Sequence, residues 1–217
     1  MIKKITPLIT LLYILSFPSC NEIKEENINQ NTLQRKSPNE RQVDRFADIQ
    51  ILRYEIKDFD SLSLSQKQLV YFLSQAGLSG RDIIYDQNNA YNLEIRKWLE
   101  EIIKGYKGDK ESDQWYLFMT YVKQVWFANG IHHHYGMEKF SPKFTQEYFA
   151  HLLEATGETI SLDAIATIFN KDIDSKRKVK DPSVDMIVAS ANNFYGKGVT
   201  LSMVENFYKA KIDTLDP

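Results

Sequence analysis

No proline interrupts the chain from Asn39 to Ser141, and within that stretch apolar residues recur at steps of three and four. Tyr91, Ile95, Trp98, Leu99, Ile102, Ile103 and Tyr106 fall on one face of a helix that closes at Gly105 and Gly108. Ser112 caps a second such segment, with Trp115, Phe118, Met119, Val122, Val125 and Trp126 on its inner face and Asn129-Gly130 as its stop. Two long amphipathic helices in succession demand helical partners to cover them.

The flanks extend the pattern. Ser65 and Gln68 stand at capping-box spacing and open a helix carrying Leu69, Phe72, Leu73 and Ala76 as far as Gly77. Before it, Leu52, Tyr54 and Ile56 alternate with Arg53, Glu55 and Lys57, which predicts a half-buried strand within Phe46 to Phe59. Later helices are expected from Thr145 to Ala155 with Gly157 as terminator, from Ser161 to Phe169, and from Asp181-Pro182 to Ala191. A last helix starts near Thr200, with Ser202 and Glu205 at capping-box spacing. The expected fold class is mainly α with a minor β element.

Met1 to Lys4 is a short basic start, followed by a 13-residue apolar run from Ile5 to Phe17 and then Ser19-Cys20. The run is too short to cross a bilayer and suits a secretory signal over residues 1–19. A lone cysteine directly behind it resembles the acylation point of a bacterial lipoprotein, with an ordinary cleaved signal as the alternative. Residues 20–45 are polar up to Phe46, without an aromatic side chain, and are expected to tether the domain of residues 46–217. The expected location is the cell envelope, with the chain lipid-anchored through Cys20 on the periplasmic or surface side of a membrane.

Charge and cysteine usage narrow the chemistry. Lys plus Arg is 27 and Asp plus Glu is 29, so no general attraction to nucleic acid exists. A single cysteine makes neither an internal disulfide nor a Cys-x-x-Cys zinc pair. No His-Glu dipeptide occurs, and His151-Leu152-Leu153-Glu154 is followed by Ala155 where an inverted zinc motif needs histidine. His151 therefore reads as a helix-surface residue. Gly105-Tyr106-Lys107-Gly108-Asp109-Lys110 lacks the Gly-Lys-Ser of a phosphate loop.

The unusual segment is Asn129-Gly130-Ile131-His132-His133-His134-Tyr135. Adjacent side chains of an extended chain point to opposite sides, so His132 and His134 share a face and a metal would need a third ligand from elsewhere. Two other readings stay open: a solvated loop, or one presenting imidazole and phenol groups to the carbonyls of a peptide. Asn192-Asn193-Phe194-Tyr195-Gly196 is a second polar-aromatic turn, either a helix stop or a cleft wall. Candidate substrate-binding residues are Asn129, Gly130, His132, His134, Tyr135, Asn193 and Tyr195; no catalytic or metal-binding residue is assigned.

Several ordered blocks resemble bacterial dipeptidyl-peptidase III. They are Phe46 to Glu55, Leu69 to Ala76, Gly80 to Ile83, Val125 to Tyr135 with Lys139-Phe140, and Asn192 to Tyr195 with Gly198 to Thr200. The resemblance implies a zinc-dependent exopeptidase that releases dipeptides from peptide amino termini, with two lobes closing over a cleft. It implies that the His-Glu-x-x-Gly-His motif lies in a later lobe, that this chain corresponds to the first third or so, and that the Asn129–Tyr135 block lines the cleft. Gly130 matches a family glycine, whereas Ile131 and His132 stand where eukaryotic members have Asn-Tyr.

The expectation is an amino-terminal fragment of such a peptidase, cut short before its zinc motif and inactive alone. Zinc would belong to the full-length family and no cofactor to this chain. Short peptides, the missing catalytic lobe and, through the anchor, a membrane are the implied partners. The alternative is a complete, non-catalytic surface lipoprotein binding peptides or a protein.

Overall fold

A computed structural model describes residues 42–215. The signal segment, Cys20 and the tether as far as Arg41 lie outside the described residues. Gln42–Arg45, read above as the end of the tether, instead belong to strand β1 (Gln42–Phe46), which pairs antiparallel with β2 (Ile49–Leu52). Ala47 turns the hairpin with φ 47, and the pair Phe46 and Ile49 that closes it is buried. The Phe46 ring meets Phe127 edge-on at 6.4 Å, and Asp44 pairs with Lys123 at 2.7 Å, so the hairpin lies along the helix of residues Asp113–Ala128. The expected strand thus ends where its alternation begins: Tyr54 is 75% exposed, and the chain leaves the sheet after Leu52. Alternation marks a strand only where another strand supplies the ladder.

A short 3-10 turn (Phe59–Ser61) precedes α1 (Leu64–Ser79). Ser63 and Gln66 form its capping box, two residues upstream of the Ser65–Gln68 pair, because Ser-Leu-Ser-Gln-Lys-Gln offers the same spacing twice. No residue of α1 is buried; Leu69, Leu73 and Phe72, the last 66% exposed, point to solvent. Periodicity specifies a face but not what covers it. Helix α2 (Arg81–Asn88) has no side-chain cap and left no clear mark in the sequence.

Helices α3 (Asn92–Gly105) and α4 (Asp113–Ala128) form the heart of the molecule. Ile95, Leu99 and Ile102 of α3 and Phe118, Val122 and Val125 of α4 are wholly buried. Each such side chain contributes about 1.5–3 kcal/mol on leaving water. Ser112 caps α4 by accepting the Trp115 N–H at 3.3 Å. Trp126, placed on the inner face above, is exposed, and Tyr121 takes an inner position instead.

Helices α5 (Gln146–Thr156) and α6 (Leu162–Phe169) begin at Thr145 and Ser161, whose hydroxyls accept the Tyr148 and Ala164 N–H groups. Gly157 ends α5 at φ 70. Phe144 joins these elements: its ring lies 5.5 Å from Phe118, 5.6 Å from Tyr121, 6.0 Å from Phe149 and 5.8 Å from Phe169. Such aromatic pairs add about 0.5–1.5 kcal/mol each beyond their burial.

The helix expected from Asp181 to Ala191 is a series of turns. Asp181 Oδ1 accepts the Ser183 N–H at 2.9 Å, and Asp185 Oδ1 accepts those of Ile187 and Val188. Aspartate side chains that bond the following backbone compete with helical hydrogen bonds. Asp185 also accepts the Leu201 N–H at 3.0 Å, at the start of α7 (Leu201–Leu215), and Thr200 Oγ1 accepts that of Met203. The α7 cap is therefore Thr200, not Ser202. The described residues are mainly helical with one small two-stranded sheet.

Candidate functional site

Helix α4 ends with Asn129 in the left-handed region at φ 53, ψ 48, and its carbonyl accepts from Asn88 Nδ2 at 3.0 Å. Gly130 follows at φ 144, a conformation glycine adopts freely. The chain then doubles back. Phe140 N–H donates to the Ile131 carbonyl and His133 N–H to the Glu138 carbonyl, both at 2.8 Å. A third segment joins this loop: Lys139 N–H donates to Ser175 O, and Arg177 N–H to Met137 O. The Arg177 carbonyl in turn accepts the Asn192 N–H and Nδ2, each at 3.1 Å. Residues 129–140, 175–177 and 191–193 are thus tied by backbone bonds although no sheet of any length forms.

Left-handed residues collect along this assembly. Besides Asn129, Met137 has φ 68 and Asp174 has φ 51. Such conformations cost non-glycine residues energy and persist where the surroundings over-determine them. Lys139 is part of that determination: its Nζ donates to the carbonyls of Thr167 at 2.8 Å, Asn170 at 2.6 Å and Ile173, clamping the end of α6 to the loop.

The three histidines have separate fates. His132 is 1% exposed, and its Nε2 donates to the Asp174 carbonyl at 2.7 Å, leaving Nδ1 as a buried acceptor without a partner. Burial pushes its pKa below the usual imidazole value, so the ring is neutral at pH 7. His132, a substrate-binding candidate in the sequence, is therefore a core side chain that does not border the cavity described below. His133 Nδ1 accepts the backbone N–H groups of Tyr135 and Gly136, at 3.2 and 2.8 Å. His134 packs edge-on against Phe127 at 5.0 Å and lies 4.5 Å from the Tyr135 ring, which is 83% exposed. Burial and the neighbouring His133 lower the His134 pKa.

A cavity of about 380 Å3 opens where these segments meet. Asn88, Asn129, His134, Arg177, Lys178 and Asn192 supply its polar lining, with Phe127 and Phe194 among its apolar walls. Its size falls in the range of small-ligand pockets, about 300–1,000 Å3. Of the substrate-binding candidates named from the sequence, Asn129 and His134 border it. Gly130 is buried behind it, whereas Asn193 and Tyr195 are exposed and flank it; the adjacent Asn192 and Phe194 face in. Arg177 was hidden in Lys176-Arg177-Lys178, which reads as an ordinary solvated charge run. Asn92, which supports the loop from below, carried no sequence signal at all.

Among the described residues no three His, Cys, Asp or Glu side chains gather as a metal-ligand group. His132 Nε2 and His133 Nδ1 are each engaged by backbone groups. His151 is exposed on α5. No family model and no curated protein matches the chain.

Proposed function

We propose that this chain supplies a peptide-binding cleft wall of a dipeptidyl-peptidase III-like exopeptidase, with hydrolysis carried out by a zinc-bearing lobe whose motif this sequence lacks. One observation carries the reading. Residues of the block that carries the most specific part of the resemblance, Val125–Tyr135, and of a later matching block, Asn192–Tyr195, border the same cavity although nearly sixty residues separate them. Arg177 links the two blocks through backbone bonds to Met137 and Asn192, and that convergence supports a common role.

The lining suits an extended peptide. The Asn129 and Asn192 amides each offer a donor and an acceptor to main-chain groups, and Phe127 and Phe194 offer apolar contact to side chains. In the family, zinc would polarise the scissile carbonyl and activate water; the residues here bind and orient. In the same reading Cys20 is acylated and holds the domain at the cell envelope. Fatty-acid labelling that is unchanged by Cys20→Ala would exclude that anchor.

The test is calorimetric titration with a tetra-alanine peptide bearing free termini. Binding that weakens about tenfold in both Asn129→Ala and Asn192→Ala is expected. Absence of binding at millimolar peptide would reject the reading. Added zinc and a dipeptidyl-arylamide should give no turnover with this chain alone.

The exposed apolar side chains of α1 suit the missing lobe and equally suit a second reading, a non-catalytic peptide- or protein-binding surface lipoprotein. A monodisperse monomer with one cooperative unfolding transition would favour it.

A further inference from the structure

The Arg177 guanidinium is half-buried beside the cavity, and among the described residues it has no carboxylate partner. Its hydrogen bonds go to neutral acceptors: Nη2 to the His134 carbonyl at 3.2 Å, and Nη2 and Nε to Met137 Sδ at 3.0 and 3.3 Å. A thioether is a weak acceptor, so much of the fork's donor capacity is unspent. A cation withdrawn from water without a counter-ion is costly, and such groups are paired in most folds.

The charged residues of the cavity lining are Arg177 and Lys178, with no acid among them. Backbone bonds pin Arg177 on both sides, to Met137 through its N–H and to Asn192 through its carbonyl. The planar fork is therefore presented by a fixed segment, the arrangement that favours two-point recognition of a carboxylate.

We infer that Arg177 anchors a carboxylate of the ligand entering the cavity between the Asn129–Met137 loop and the Asn192–Phe194 segment. This rests on the peptide reading above and deepens it: the preferred ligand is an anionic peptide, held by its terminal carboxylate or by an acidic side chain. Burial also pushes the Arg177 pKa below its usual value. The neighbouring His134 is neutral and does not compete for that anion.

The experiment compares three ligands by calorimetry: tetra-alanine as the free acid, the same peptide as its carboxy-terminal amide, and Ala-Ala-Glu-Ala amide. The free acid is expected to bind about tenfold more tightly than the tetra-alanine amide, the worth of a charge-assisted pair. Recovery of affinity by the glutamate peptide assigns the site to any carboxylate; no recovery assigns it to the chain terminus. Arg177→Met should abolish the preference and Arg177→Lys should keep part of it, with near-ultraviolet circular dichroism checking the fold of each. Equal binding of all three peptides to the unaltered protein overturns the carboxylate assignment while leaving the peptide reading intact. Failure of all three to bind overturns both.

Discussion

Asn92 holds the backbone of Ile131: its Oδ1 accepts the Ile131 N–H at 3.1 Å while its Nδ2 donates to the Tyr85 carbonyl at 3.0 Å. All of this lies in the interior, where Asn92 and Ile131 have no exposed surface. One amide therefore ties the end of α2, the start of α3 and the loop after α4 together. Asn92→Ala would strand the buried Ile131 N–H, at about 1–3 kcal/mol, while the Tyr85 carbonyl keeps the Asn89 N–H. Urea denaturation should show a loss of about 1–3 kcal/mol, accompanied by loss of peptide binding.

Gly130 sits directly against that amide. A Cβ there would lie 2.2 Å from Asn92 Nδ2, and its φ of 144 is hostile to any side chain. Gly130→Ala is expected to cost more than about 2 kcal/mol from strain and displacement together. A thermal melt within a degree of the unaltered protein would contradict this geometry.

His132 makes stability fall in mild acid. Burial holds its folded pKa down; the nearby Lys139 and Arg177 charges act in the same direction, and the Asp174 contacts oppose them. On lowering pH through about 6.5 the unfolded chain takes up a proton that the folded chain refuses. Stability is therefore complete above that pH and declines below it, by at most about 1.4 kcal/mol per pH unit for one group, until the folded pKa is reached. His134 is shifted the same way and steepens the slope. Denaturation midpoints at pH 7.5 and 5.0 should differ, and His132→Gln should flatten that difference. Asp44, Asp181 and Asp185 have lowered pKa values, so their contribution is lost only in stronger acid, below about pH 4.

Two phenylalanines separate core from surface. Phe118 on α4 is completely buried against Phe144, whereas Phe72 on α1 is mostly exposed. Phe118→Ala should destabilise by about 3–5 kcal/mol and Phe72→Ser by no more than about 0.5 kcal/mol. A large loss for Phe72→Ser in chemical denaturation would mean that α1 packs its apolar face.

Much of the helical framework was legible because its signals are local. Ser112, Thr145 and Ser161 each bond an N–H three residues ahead, and Gly157 takes a left-handed stop, all readable from residue type and spacing. The Asp181–Ala191 helix failed on equally local grounds, since aspartates that cap can also form turns. Helix α2 lacked a side-chain cap and passed unread. Of the candidate site, Asn129, His134 and the turn from Asn192 to Tyr195 were legible as unusual polar-aromatic segments, while Arg177 was not.

The order of amino acids alone determined where the helices α3 to α6 begin, what period they follow and which loop carries the imidazoles, because those properties depend on neighbours within one or two turns. Only the tertiary structure decided that His132 is interior and His134 borders the cavity, that α1 exposes its stripe, and that Arg177 stands beside a loop forty residues earlier. Those outcomes turn on burial and on hydrogen bonds between distant segments. A side chain's desolvation and partners are set by what packs against it, which no short-range spacing encodes.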